Sequence, residues 1–511
     1  MFTSIFNDVL GPVMRGPSSS HTAGSYHIAR VIRDLLGAEP SQVRVVFDRN
    51  GSYGPTYVQQ GVDLAFATGL MGWRQTDAIF TSALSEAAKQ GVRFVFEVTN
   101  LPQADHPNFV IVEAGAATGE RLVVEAKSVG GGTFIVSNVD GCEVYLDGKS
   151  HELLLRLGQD SLPVVLGIVK SQYPAAIIRQ SAQGSGVCLQ VSSPVPLSAA
   201  EFAKLPGILG IRQAAPVYYV QKGPAPFSSG EEMLAFAATH DRTLGETVLA
   251  YEMAVLGLSE DEAIAEMLRR YAVMKHSVQE GLDDAKVKML LLEPMAGNIM
   301  RKVKANQVAI GGIHAKAAAA AMAVMHACNS RRVVCAAPTG GAAGTLPGVL
   351  VALDEDHAIA DRQMALMLFA AGGIGLILAI RATFAAEVAG CQVEIGAAGA
   401  MAAAAVVEFA GGNARQACDA AAISFQNTMG SVCDLVQGMC EVPCHTRNAV
   451  AASAAFTNAD MVLGGYRNPV SLDETIDAVY ACGKMLPCEL RCTARGGLAL
   501  APSALALAQR P

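Results

Sequence analysis

Charge is scarce in this chain: Asp, Glu, Lys and Arg together make up 16% of its 511 residues, and the formal net charge is -8. With few cations and a negative balance there is no Lys/Arg stripe to follow a phosphate backbone or an anionic leaflet, so neither nucleic acid nor a membrane surface is expected as a partner. Aromatic residues are also few, at 6% with a single Trp. The first residues, Met1-Phe2-Thr3-Ser4-Ile5-Phe6-Asn7-Asp8, lack the basic region and long apolar core of a secretory signal, and an Arg/Ser-rich presequence is missing too, so a cytoplasmic location is expected. No two cysteines are spaced CxxC, which removes the signature of zinc ribbons and thioredoxins.

What is abundant is apolar. Hydrophobic residues reach 51%, enough for a large buried interior, and the length implies two or three domains. Met364–Ile380 is uncharged but carries Gly372-Gly373 and runs straight into Arg381. Its length is at the short edge for a bilayer, so a helix buried in a globular bundle is expected rather than a membrane span. The chain has 12 cysteines, most of them after residue 327. In a reducing compartment these are not disulfide partners, and metal or catalytic use becomes the question.

Residues 1–150 mix a Gly/Ser-rich opening with β-branched runs at Val43–Phe47, Phe94–Val98 and Phe109–Val112, an α+β domain. Residues 151–222 read strand (Glu152–Leu157), helix (Leu162–Ser171), two strands around Gly184-Ser185-Gly186, helix (Ala199–Leu205), strand (Ile211–Val217), the ferredoxin-like order of small regulatory modules. Gly223–Gly230 is a Pro/Gly/Ser linker. Residues 231–511 are Ala- and Met-rich, with helices expected at 243–280, 311–328, 361–383, 396–425 and 471–484, an all-α domain. The whole is a multidomain α+β chain.

Three stretches of the all-α domain break the helical pattern: Ala337-Pro338-Thr339-Gly340-Gly341-Ala342-Ala343-Gly344, Gly390-Cys391-Gln392-Val393-Glu394-Ile395-Gly396, and Asn427–Asp434 continuing to Glu441-Val442-Pro443-Cys444. Gly and Pro at helix edges free backbone N–H groups to bind an anion or sulfide. Two of the three carry Cys.

These segments, written GCQxExG, NTxGxxCD, EVPCxxRNA and APTxGxxGxxPGV, together with Arg495-Gly496-Gly497-Leu498-Ala499, resemble the α part of iron-sulfur-dependent L-serine dehydratases. Gly16-Pro17-Ser18-Ser19-Ser20-His21-Thr22 and Ser128-Val129-Gly130-Gly131-Gly132 resemble the β part, so the chain looks like both parts fused, β then α. The resemblance implies a lyase that converts L-serine to pyruvate and ammonia on a 4Fe-4S cluster. Its cluster cysteines map onto Cys391, Cys433 and Cys444. Three thiolates leave the fourth iron open as a Lewis acid, whereas electron-transfer clusters generally fill every position with Cys.

The residues themselves offer His21 and Ser20 as catalytic groups and Ser18, Ser19 and Thr22 as substrate-binding ones, with Gly131, Thr339 and Asn427 as weaker candidates for the pocket wall and Arg447 as a carboxylate partner. Lys484 is a weaker carboxylate partner. Cys440, four residues before Cys444, gives a rival ligand set of Cys433, Cys440 and Cys444. Cys488 and Cys492 lie in a tail that in the family approaches the active site, and one of them is a candidate cap on the open iron. Cys142, Cys188, Cys328, Cys335, Cys418 and Cys482 are assigned to packing. A homodimer is the expected assembly.

The chain departs from the family where GSLxxTGKGHxxD is usual. Here Gly51–Asp63 puts Val58 in place of the Lys and Gln60 in place of the His, and glutamine is no base near neutral pH. A sister lyase acting on another β-hydroxy or β-thiol acid is therefore a second reading. A non-catalytic sensor of an amino acid or of iron-sulfur status is a third.

Overall fold

The computed structural model describes residues 2–184 and 186–509, and its packing divides the chain into two units, Met1–Ser20 with Gly223–Pro511, and His21–Lys222. Ser185, at the turn expected between two strands, lies outside the described residues.

In the unit His21–Lys222 the helix Gly24–Leu36 repeats apolar residues at Ile28, Val31, Ile32 and Leu35, so that one stripe is buried, and Gly37 ends it in the left-handed region at φ 69°. That stripe joins the core of a six-stranded sheet whose order is Arg93–Thr99, Pro40–Asp48, Phe109–Ala116, Arg121–Gly130, Thr133–Val139, Cys142–Leu146. Only the first pair is parallel, with Val45 opposite Phe96; the others are antiparallel. Alternation is clear in Arg121–Gly130, where Leu122, Val124, Ala126, Ser128 and Gly130 are buried.

Residues 151–214 form strand, helix, strand, strand, short helix, strand, and the four strands build an antiparallel sheet ordered Ile208–Ala214, His151–Gly158, Gly186–Ser193, Ile177–Gln183. Leu153, Leu155, Leu157, Leu189 and Val191 on the sheet close over Val165 and Val169 of the helix Leu162–Gln172. The last strand stops at Ala214 rather than Val217. Pro216 has no N–H to donate, and Val217 and Tyr218 turn their N–H groups to the Gly148 carbonyl at 2.9 and 3.1 Å.

The other unit is helical, with two expected helices each divided. The stretch 243–280 breaks at Gly257 (φ 62°) into Leu244–Leu256 and Glu260–Gly281, each opened by a capping box, Thr243 with Glu246 and Ser259 with Glu262. The stretch 396–425 breaks at Gly411-Gly412 into Ile395–Phe409 and Ala414–Thr428, the second capped by Asn413 with Gln416. Local capping chemistry outweighs the continuous Ala-rich composition in both cases. The alanine-rich helix Ile395–Phe409 packs at once on Asp361–Arg381, Ala414–Thr428 and Cys444–Leu463, which small side chains permit. The segments Asp361–Arg381 and Cys391–Phe409 are apolar and long enough to cross a membrane, yet 83% of the apolar window of each is buried inside the structure.

Residues up to Ser20, read from sequence as the start of the α+β domain, pack with the helical unit. The Glu252 carboxylate, fully buried, accepts from Ser4 Oγ (2.6 Å), Ile5 N (2.9 Å) and Phe6 N (3.0 Å), and the Arg270 guanidinium donates to the Phe6 carbonyl at 2.8 Å. Val13–Arg15 then pairs antiparallel with Val333–Cys335. The polar ends of a short segment are thereby satisfied inside an apolar bundle.

Candidate functional site

Five cysteines from four stretches of the helical unit meet in one buried cluster: Cys391, Cys433, Cys440, Cys444 and Cys492, with Met325, Ala386 and Leu435 among them. Each is placed by backbone that departs from a helix. Gly390 has φ 75°, and a Cβ on it would stand 2.7 Å from the Ser431 carbonyl oxygen, so only glycine turns the chain into Cys391. Cys433 is tied to the tail: its N–H donates to the Leu490 carbonyl at 2.8 Å, and Cys492 N donates to the Cys433 carbonyl at 2.9 Å. Cys444 opens the helix Cys444–Leu463 directly after Pro443. The turn before it is pinned by Glu441, whose carboxylate accepts from the N–H groups of Leu290, Leu291 and Leu292 at 2.7, 2.9 and 2.8 Å.

The free thiols are within hydrogen-bonding reach of one another, Cys391 with Cys433, Cys433 with Cys492, and Cys440 with Cys444. The bond to Cys433, followed by burial, pushes the Cys391 thiol well above its ordinary value, while the bond from Cys440 lowers Cys444. Arg447 Nη1 reaches Cys391 Sγ at 3.7 Å and the Val432 carbonyl at 2.8 Å, and its Nη2 pairs with Asp434 at 3.0 Å. Asp434 also accepts from Leu498 N at 2.8 Å, and a Cβ on Gly497 would fall 2.4 Å from its carboxylate, which accounts for the second glycine of the tail pair.

A soft, multi-thiol nest closed to solvent suits an iron-sulfur cluster by its donor set. Among the described residues no three His, Cys, Asp or Glu side chains converge as ligands of a single ion. A cubane does not ask for that convergence, because each anchoring thiolate binds a different iron.

Next to the nest lies the loop Thr339–Gly344. Gly340 N donates to Ser19 Oγ at 3.1 Å, and Ser18 Oγ and Ser20 Oγ are 3.3 Å apart, so the serine run is held against this loop. Glu394, in the stretch following Cys391, places its carboxyl over Gly341 and is bonded by the Thr339 side chain. Burial first, then Glu387 and Cys444, raises that carboxyl well above the usual range. Asn448 joins the loop to the Cys444 backbone, its amide donating to the Gly341 and Cys444 carbonyls.

Ser18, Ser19, Thr339 and Arg447 thus share the helical unit with Cys391, Cys433 and Cys444. His21 and Thr22 belong to the other unit. His21 is fully buried, its Nε2 3.2 Å from Ser52 Oγ and its ring edge-on to Tyr53, and burial lowers it to about 3, so the imidazole is neutral. Thr22 Oγ1 donates to the Gln60 carbonyl at 2.9 Å. Gly131 takes φ 63° in the turn between two strands, and the next carbonyl, that of Gly132, accepts from the Tyr218 hydroxyl at 2.7 Å. Asn427 is exposed and spends its amide on the Ile423 carbonyl of its own helix at 2.9 Å.

Sequence reasoning did not single out Glu394 or Asn448 as site residues. Both stand inside quoted motifs, three residues after Cys391 and four after Cys444, and the helical spacing was the signal for the second. Of the tail cysteines, Cys492 is in the nest and Cys488 is exposed. The free thiols of Cys142 and Cys188 hydrogen-bond in the core of the sheet unit, Cys335 and Cys418 are buried away from the nest, and buried Cys328 Sγ donates to the Pro17 and Gly340 carbonyls, each at 3.4 Å.

Residues 239–499 match the family described as serine dehydratase alpha chain. The probable L-serine dehydratase alpha chain of Bacillus subtilis is 35% identical over 277 residues, 54% of this chain and 92% of that one. That of Latilactobacillus sakei is 43% identical over 178 residues, 35% of this chain and 85% of its own. L-serine dehydratase 1 of Escherichia coli is 31% identical over 287 residues, covering 54% of this chain and 62% of that protein. With half of its length matching the family and nearly the whole of a separate alpha chain aligned within it, this chain belongs to the L-serine dehydratase family and is a lyase of the ammonia-lyase type.

Proposed function

We propose that this chain is an iron-sulfur-dependent L-serine dehydratase, yielding pyruvate and ammonia, with a 4Fe-4S cluster anchored by Cys391, Cys433 and Cys444. The observation that carries this reading is the meeting of those three thiols, drawn from three separate motifs, in a single buried nest. When bound, the cluster supplies a Lewis-acidic iron that makes the β-hydroxyl a better leaving group.

The protein's own residues do the rest. Ser18, Ser19 and Ser20 with Thr339 and the Gly341 backbone offer hydroxyl and N–H donors suited to the substrate carboxylate. Arg447 is a positioning residue: it donates toward Cys391 Sγ while Asp434 holds its other arm. His21, kept neutral by burial, has the protonation state of a base and is proposed to take the α-proton. Loss of that proton and of the hydroxyl, together one water, leaves aminoacrylate. This tautomerises to the imine, and water hydrolyses it to pyruvate and ammonia.

Residues 151–222 are proposed as a ferredoxin-like, ACT-like module, a cytoplasmic location is the expectation, and a homodimer the proposed assembly. A sister lyase for another β-hydroxy or β-thiol acid is the second reading, favoured by Val58 and by the buried Gln60, whose carbonyl holds Thr22. The test is anaerobic purification with iron and sulfide quantification, then pyruvate and ammonia assays on L-serine, L-threonine and L-cysteine. About four irons per chain with air-labile serine turnover is the expected result. A cluster without serine turnover selects the sister lyase, and absence of iron overturns both.

A further inference from the structure

Three buried carboxylates of the helical unit have donors or a cation beside them. Glu252 accepts from three donors, Glu441 from three backbone N–H groups, and Asp434 has Arg447 at 3.0 Å. Glu394 is different. Among the described residues its carboxyl is bonded by the Thr339 side chain, and the charged groups that bear on it, Glu387 and Cys444, are acidic. Burying a carboxylate without a counter-charge costs several kcal/mol, roughly, unless a cation or several donors arrive. Its surroundings are also particular: Ala389–Val393 and Ile395 are closed off, yet Glu394 keeps partial access. Its oxygens lie over the α-carbon of Gly341, where a Cβ would stand 3.0 Å from Oε2 and 3.7 Å from Oε1.

We propose that Glu394 binds the α-ammonium of the substrate, and so selects a 2-amino acid over the same carbon skeleton lacking the amine. The inference rests on the proposed reading of this site as a serine-type lyase. A zwitterion has two charged ends, and the Thr339–Gly341 loop presents matching groups for both. The hydroxyls of Ser18–Ser20, packed on Gly340, suit a carboxylate, and the Glu394 carboxyl beside Gly341 suits a cation. The substrate's ammonium supplies the missing counter-charge.

The test uses the anaerobically purified, iron-loaded full chain. Calorimetry compares L-alanine, which keeps the ammonium and carboxylate but has no group to eliminate, with propionate, which lacks the ammonium. The unsubstituted chain should prefer L-alanine. Glu394→Gln should weaken L-alanine binding by roughly 10- to 100-fold and raise the KM for L-serine by a similar factor, leaving propionate affinity, iron and sulfide content, and melting temperature unchanged. Glu394→Asp, shorter but still charged, should fall between the two, and it carries the test if the Gln variant folds poorly. Unaltered L-alanine affinity, equal loss of both ligands, no preference in the unsubstituted chain, or loss of iron in the variant each overturns the assignment. If the unsubstituted chain itself lacks iron or serine turnover, the parent reading fails and takes this one with it, whereas an active enzyme whose Glu394→Gln variant still binds L-alanine refutes this inference alone.

Discussion

Asn448 and Cys444 stand one helical turn apart, and Asn448 Nδ2 donates to both the Cys444 carbonyl and the Gly341 carbonyl, each at 2.9 Å. Its Oδ1 accepts from Gly344 N at 3.2 Å, Thr345 N at 3.1 Å and Thr345 Oγ1 at 3.0 Å. One fully buried amide therefore fixes the glycine loop to the helix that begins at a proposed cluster ligand. Replacing it with Ala leaves several buried N–H and C=O groups unmade. Asn448→Ala should cost about 3 to 5 kcal/mol, read as a lowered unfolding midpoint, and should reduce iron bound per chain. Full iron content with an unchanged midpoint would show that the loop does not depend on this amide.

Five thiols share the nest, so substitution must decide which of them hold iron. Cys391, Cys433 and Cys444 come from the three motifs of the family resemblance, while the Cys440 thiol hydrogen-bonds with Cys444 and the Cys492 thiol with Cys433. Cys391→Ala, Cys433→Ala and Cys444→Ala should each abolish cluster absorbance and serine turnover, and Cys440→Ala should retain both. Turnover surviving in Cys391→Ala under anaerobic conditions, together with its loss in Cys440→Ala, would establish the rival ligand set.

Much of this site was legible because its signals are local. Gly390, the Cys391 turn and Pro443 before Cys444 break helical periodicity, and such breaks are visible in one dimension. The strands at 40–48, 93–99 and 109–116 were legible for the same reason, since β-branched runs need no distant partner to be recognised. The division of the Ala-rich stretch at Gly411-Gly412 was hidden by composition. The attachment of residues 1–20 to the helical unit depends on Glu252 and Arg270, some 250 positions away, and no periodicity announces a pairing at that range. Glu394 went unnoticed because an acidic residue at a helix start reads as ordinary dipole stabilisation, and only its burial beside the acidic Glu387 and Cys444 gives it meaning.

Gly16 opens the serine run at a place where the backbone touches another segment. A Cβ there would fall 2.1 Å from the Cys328 carbonyl oxygen and 2.5 Å from its sulfur, distances that force the chain to move. Since Ser19 holds Gly340 N through its hydroxyl, the shift reaches the proposed carboxylate-binding loop. Gly16→Ala should lower kcat/KM for L-serine by roughly 10- to 100-fold without loss of iron. A variant with unaltered kinetics would separate the serine run from substrate binding.

Acid sensitivity should arise from buried neutral imidazoles. His27 is buried, with Nδ1 3.0 Å from the Gly132 carbonyl oxygen and 2.8 Å from the Tyr218 hydroxyl, and burial lowers it from 6.5 to about 4. Because the folded value lies below the unfolded one, the unfolded chain binds more protons between these pH values. Stability is then fully present above about pH 6.5 and is lost as pH falls toward 4. Between pH 7 and pH 5 this one ring should account for about 2 kcal/mol of destabilisation. His21, His106 and His326 are lowered in the same direction, to about 3, 4 and 4, and add to the fall. His27→Gln removes the titration, so its melting temperature should drop less steeply from pH 7 to pH 5 than that of the unsubstituted chain, even though its value at pH 7 is lower. Parallel pH profiles for the two proteins would mean that His27 takes up its proton in the folded state as readily as in the unfolded one.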